Sequence, residues 1–147
     1  SSCGLMVASE AAYFSLPEVN VGVMGGTRHS ARLLPDKLVR YLALTGRRID
    51  ARALMAHGGC NEVVPPDRLM DAAFDLADEI ARKSPMGVRL MKESINLTED
   101  MPVTEGYRVE QLFTTLASSM DESKEASAAF LEKRDPWWVA QLKETKP

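Results

Sequence analysis

The sequence predicts an α/β chain in which a few short β-strands give way to mostly α-helices. Three observations predict it. Up to about residue 26 the apolar residues alternate or come in short blocks, the pattern of extended chain. From Arg28 the apolar period becomes helical. Caps and breakers such as Ser84-Pro85 and Asp135-Pro136 then divide the rest into separate helices.

In order, Cys3-Gly4-Leu5-Met6-Val7-Ala8 reads as a short buried strand with nothing before it to pair with. Its neighbours must come from a preceding segment, from later in the chain or from another subunit. Tyr13 and Phe14 begin a second extended piece, and Val19, Val21 and Val23 alternate as in a third. Ala31 and Leu34 mark a helix that Pro35 stops. Asp36 is the expected N-cap of a helix over 37–44 that stops at Gly46. Asp50 caps a helix over 51–57, and Glu62-Val63-Val64 is a strand candidate. The spacing of Leu69, Ala73, Leu76, Ala77 and Ile80 predicts a helix over 67–83. Ser84-Pro85 restarts a helix that runs to about Leu97. A long helix over about 103–120 turns Val109, Leu112, Phe113, Leu116, Ala117 and Met120 to one face. Asp121 opens the next helix, which ends near Arg134. Trp137, Trp138, Val139 and Leu142 form an apolar tail expected to dock on a partner surface.

The bulk properties fit one soluble segment. The chain has 147 residues, enough for a core, and is 45% hydrophobic and 27% charged. A net charge of -3 argues against a general nucleic-acid binder. No apolar run reaches membrane-spanning length, and no signal-peptide pattern opens the chain. Cys3 and Cys60 match no metal or redox spacing, which suits a reducing cytoplasm. His29 and His57 have no acidic or cysteine partner at useful spacing, so no metal site is expected. No repeat or linker-like shift divides the chain. It is taken as one segment: strands and a site loop over 1–26, helices with a short strand near 62–64 over 27–101, and C-terminal helices over 102–147.

The chemistry concentrates at Ser15 to Thr27. Glu18 follows Pro17, which fixes its own φ, and precedes a run of small and β-branched residues that ends in Gly25-Gly26. A carboxylate held among apolar residues and glycines suits acid/base work, because burial disfavours its charged form. The plain alternative is a solvated turn residue. Gly25-Gly26-Thr27 ahead of a helix could cradle an anion, but it lacks the lysine of a Walker loop and the spacing of a dinucleotide fingerprint.

F-S-L-P-E-V-N-V-G-V-M-G-G-T-R, from Phe14 to Arg28, resembles the signature of the enoyl-CoA hydratase/isomerase (crotonase) family. Four later blocks resemble that family too: L-T-G from Leu44, V-V-P from Val63, A-R-K-S-P from Ala81 and A-F-L-E-K-R from Ala129. Gly4, after Cys3, stands where the family usually has Asp. The resemblance covers nearly the whole chain and implies the C-terminal part of a crotonase-like (ClpP/crotonase) fold. It further implies an acyl-CoA thioester substrate, an enolate-type intermediate and an oxyanion hole. Coenzyme A enters as part of the substrate, and no separate cofactor is implied. Glu18 matches the second glutamate of the hydratase pair. Gly25 and Gly26 fall in the family's G-G-T-x-R block and are candidate substrate-binding positions, since bare glycines let a ligand approach closely. Lys133 and, with a one-residue shift, Phe113 match positions that reach coenzyme A phosphates and adenine in a neighbouring subunit. The family's oxyanion donors, adenine loop and first glutamate are expected before residue 1. The resemblance also implies a homo-oligomer, a trimer or hexamer. A non-catalytic oligomerisation or interaction module is the competing reading. A surface role for Lys133 and a packing role for Phe113 likewise stay open.

Overall fold

The computed structural model describes residues 4–145. Cys3, expected at the start of the first strand, lies outside them. The chain divides into two compact units, Ser1–Asp75 and Leu76–Pro147.

The first unit holds the described strands. β1 (Val7–Ser9) pairs in parallel with β4 (Glu62–Val64), with Ala8 opposite Val63. This supplies a partner for the opening strand from later in the chain. Asn61 clips the same edge, its side-chain Oδ1 accepting from the Met6 N–H at 2.8 Å. β2 (Tyr13–Ser15) pairs antiparallel with β3 (Arg48–Asp50). The Arg48 guanidinium lies diagonally over the Tyr13 ring, 3.9 Å from its centroid. β3 was not foreseen. Its one apolar residue, Ile49, is buried between exposed Arg48 and Asp50, too short a signal for periodicity.

The helices of this unit close on the strands. α1 (Thr27–Ser30) is a single turn, shorter than the pattern predicts. α2 (Asp36–Thr45) begins after Pro35, and Asp36 is its first residue rather than its cap. The Asp36 carboxylate accepts from the Arg40 side chain one turn on, at 2.8 Å. α3 (Ala51–Ala56) has the cap the sequence predicts: Asp50 Oδ1 accepts from the Ala53 N–H at 2.7 Å. It ends in a Schellman arrangement. Gly58 is left-handed at φ 79°, with Gly58 N–H to Met55 O at 2.8 Å and Gly59 N–H to Leu54 O at 2.9 Å. The core gathers Ala8, Leu34, Val39, Leu42, Ile49, Ala51, Leu54 and Cys60.

A 3-10 turn over Pro66–Arg68 precedes α4 (Leu69–Ala81). The second unit continues with α5 (Pro85–Thr98), α6 (Val103–Ser118), α7 (Asp121–Glu132) and α8 (Trp137–Thr145). Ser84 caps α5, its Oγ accepting from the Gly87 N–H at 3.0 Å. α5 packs on α6, and α7 on both. Gly106 of α6 is buried against α5, where an added Cβ would meet Thr98 Cβ at 3.4 Å.

The apolar tail corrects an expectation in part, since Trp137 stays 45% exposed. Trp138 is 4% and Val139 6% exposed, so both are covered by their own chain rather than waiting for a partner. The Trp138 indole donates to Arg82 O at 3.1 Å, and the Trp137 ring meets Trp138 edge-on. Glu125 of α7 accepts from the Trp137 N–H at 3.1 Å and pairs with Arg134, which fixes the start of α8. No helix of the described residues is long and apolar enough to cross a membrane.

Candidate active site

The stretch around Glu18 is not the extended piece its alternation predicts. Pro17 opens a 3-10 turn over Pro17–Val21. Its fixed φ suits the first helical position, and Gly22, left-handed at φ 74°, closes the turn. Gly22 N–H donates to Val19 O and Val23 N–H to Glu18 O, both at 3.2 Å. Proline and glycine at the two ends override the alternation of Val19, Val21 and Val23, of which all three stay exposed.

Glu18 sits in the first turn of this segment. Its carboxylate faces the two glycines. A Cβ on Gly25 would lie 3.7 Å from Glu18 Oε1, and one on Gly26 3.9 Å. Gly26 is left-handed at φ 69°, and its bare Cα also accommodates Leu16, whose Cδ2 would be 3.1 Å from a Cβ there. Glu18 Oε2 is buried with no hydrogen-bond partner among the described residues. A buried carboxylate oxygen with unused lone pairs is costly, and such groups are kept where a ligand or a proton will meet them. The structure therefore brings Glu18, Gly25 and Gly26 together, as a carboxylate over a floor without side chains.

Phe113 and Lys133 lie in the second unit. Phe113 is half-buried on α6 and lines an apolar groove between α5 and α6 of about 680 Å³. Met91, Ile95 and Ala117 share the lining, with Lys83 and Glu110 as its charged members. Lys133 is exposed at the end of α7, is left-handed at φ 53°, and is not among the groove's lining residues. Next to it, Arg134 is held by Glu125 at 2.6 Å and Glu132 at 2.5 Å, which raises the guanidinium pKa further above its ordinary value.

Among the described residues no three His, Cys, Asp or Glu side chains gather into a group that could hold a metal ion. Cys60 is buried, its Sγ 3.8 Å from Ala51 O, and burial pushes the thiol pKa up. It is an inert packing thiol rather than a nucleophile. The sequence reading missed Asn20. Its amide lies against Gly46, a contact between residues with no shared motif.

The family model described as enoyl-CoA hydratase/isomerase matches residues 1–141. A carnitinyl-CoA dehydratase from Salmonella paratyphi B is 37% identical over 141 residues, which are 90% of this chain and 54% of that protein. The structure of an enoyl-CoA hydratase subunit I from Geobacillus kaustophilus superposes with a TM-score of 0.85 at 40% identity, over 92% of this chain and 54% of that one. Human enoyl coenzyme A hydratase domain-containing protein 3 gives a TM-score of 0.87 at 29% identity, with the same coverage of 92% and 54%. The chain thus spans about half the length of the curated relatives it matches.

Proposed function

The chain belongs to the enoyl-CoA hydratase/isomerase family and carries part of the crotonase fold, and we propose that it supplies the acid/base carboxylate, Glu18, of a site acting on acyl-CoA thioesters. The observation that carries this reading is the buried, unpartnered Glu18 Oε2 over the Gly25-Gly26 floor. A proton-transfer group needs free lone pairs and room for the reacting carbon or water, and this arrangement offers both.

The name of the carnitinyl-CoA relatives favours addition or removal of water. In that chemistry the carbon beside the thioester carbonyl is made acidic, because the carbonyl oxygen takes up the developing charge as an enolate. In the elimination direction the proton on that carbon leaves, and the hydroxyl on the next carbon departs as water after gaining a proton. Glu18 exchanges one of those protons, with the α-carbon or with the water. In the hydration direction the same transfers run backwards. Gly25 and Gly26 leave space for the acyl group beside the carboxylate. Phe113 and Lys133 contribute contacts to the coenzyme A moiety held by a neighbouring subunit, a role supported by the apolar groove that Phe113 lines and by the exposure of Lys133. Cys60, a buried free thiol, suits work in a reducing cytoplasm.

A second reading has its own support. Val103 is 88% exposed and Phe130 82%, so the helices of the second unit present apolar surface suited to self-association. Assembly into a homo-oligomer is compatible with the catalytic reading. As a sole role it makes the chain an interaction module.

The test is calorimetric titration of the chain with a short-chain enoyl-CoA, with a hydration assay and the solution mass measured alongside. Saturable binding and a turnover lost in Glu18→Gln, with binding retained, are expected. A Glu18→Gln variant that turns over at the parent rate overturns the assignment. An oligomer that binds no thioester leaves the interaction-module reading in its place.

A further inference from the structure

The 3-10 turn that carries Glu18 buries none of its five residues. Its two closing hydrogen bonds are long, at 3.2 Å each, and 3-10 geometry is intrinsically weak. Such a turn does not fix the direction of a side chain by itself. It lies against α2, and the close contact there is Asn20 on Gly46. Gly46 ends α2 in the left-handed conformation, φ 63°, with its N–H on Leu42 O at 2.8 Å. A Cβ on Gly46 would stand 2.7 Å from Asn20 Nδ2, 2.8 Å from Oδ1 and 3.0 Å from Cγ. The Asn20 amide is therefore seated directly on the bare Cα of Gly46, in space that any other residue at position 46 would fill.

This seat and the Leu16 contact on Gly26 grip the turn on either side of Glu18 in sequence. We infer that Asn20 is a positioning residue: its seat on Gly46 sets the rotation of the turn and thereby holds the Glu18 carboxylate over Gly25 and Gly26. Asn20 acts through Glu18 and does not itself touch the reacting atoms. The inference rests on the role proposed for Glu18, but the geometry it predicts is readable without turnover.

The experiment is a double-variant cycle on the full chain, with Asn20→Ala, Gly46→Ala and the two combined. The first readout is the side-chain carboxyl carbon resonance of Glu18, assigned by its disappearance in Glu18→Gln, together with the amide resonances of Gly25 and Gly26. The amides of α3 serve as the internal control. Each single variant is expected to move the Glu18, Gly25 and Gly26 signals and leave α3 in place. The double variant is expected to move them no further than either single one, because both remove the same contact. The second readout is turnover of a short enoyl-CoA. Asn20→Ala is expected to lower kcat about tenfold with KM held within about twofold, the pattern of a misaimed group rather than a lost binding contact. Unchanged Glu18, Gly25 and Gly26 signals in Asn20→Ala overturn the inference, as do fully additive shifts. A Glu18→Gln variant that keeps turnover overturns the catalytic role of Glu18 instead, and the resonance shifts still decide the positioning claim.

Discussion

Gly59 is the position where one added methyl group should cost most. It is buried in the turn that ends α3, and its φ lies outside the left-handed region, so alanine meets no backbone objection there. The objection is steric. The new Cβ would lie 2.4 Å from Leu54 Cδ1, 2.9 Å from Leu54 Cγ and 3.1 Å from Leu33 O. Carbon atoms prefer about 3.5–4.0 Å, so the Leu54 side chain must move by about an ångström. Leu54 is 1% exposed, and a buried side chain in a close-packed interior moves only at the expense of its neighbours. The carbonyl of Leu33 is backbone and gives less still. Overpacking of this kind costs about 1–3 kcal/mol, and the severity here argues for the upper end. Replacing glycine also restricts the unfolded chain, which offsets about 0.4–1 kcal/mol. Gly59→Ala should therefore lose about 2 kcal/mol in urea unfolding followed by circular dichroism. Leu54→Ala alone should lose about 2–5 kcal/mol by leaving a cavity. In the double variant the methyl group added at position 59 occupies part of that cavity, so the combined loss should fall short of the sum by about 1 kcal/mol or more. Additive losses, or a Gly59→Ala chain as stable as the parent, would refute the packing argument.

Three further outcomes are expected. Ser84→Ala removes the side-chain acceptor from the Gly87 N–H and should lower stability by about 1 kcal/mol, while Ser84→Asp should keep the cap. Trp138→Phe loses the indole bond to Arg82 O at about 1 kcal/mol, whereas Trp138→Ala also empties a buried site at about 3–5 kcal/mol; equal losses from the two would show that the ring does not pack. Acid should loosen the α7–α8 corner. The hydrogen bond from Arg134 holds the Glu125 carboxyl below its ordinary value of 4.5. A depressed folded-state value means that the contribution is complete above about pH 4.5 and fades as pH falls through the lower folded value. Melting temperature followed from pH 6 to pH 2 should accordingly drop less in Glu125→Gln than in the parent, and parallel curves would remove Glu125 from the account.

What the sequence disclosed follows the range of the interaction involved. Asp50, Ser84-Pro85 and Gly46 were legible because a cap or a stop is decided by three or four neighbouring residues. The partners of β1 and β2 were not. Glu62–Val64 was recognisable as a strand but not as the partner of β1, and Arg48–Asp50, the partner of β2, has a single apolar residue and carries no period. The turn at Pro17–Val21 failed for a local reason: a five-residue alternation was outweighed by one proline and one glycine at its ends. For Trp138 and Val139 the tail failed for a tertiary one, while Trp137 stays exposed. Two adjacent tryptophans announce that something will cover them, and only the fold tells that α8 finds Arg82 of its own chain.

The candidate site divides along the same line. Glu18, Gly25 and Gly26 are close in sequence, and a motif can carry all three. Asn20 and Gly46 meet across the intervening helices, so no local pattern joins them, although each was visible singly: one inside the valine run, the other as a helix stop. The two glycine contacts share one origin in the backbone. Gly46 and Gly26 are both left-handed, a conformation that glycine adopts at little cost. In each case the backbone requirement also removes a side chain, and the space it leaves is filled by a residue beside Glu18, Leu16 on Gly26 and Asn20 on Gly46. Helix ends and turns that need glycine for conformational reasons thus become the seats against which the carboxylate is aimed. A substitution at either glycine would disturb the direction of Glu18 as well as the turn itself, which is why stability and turnover must be measured separately at both positions.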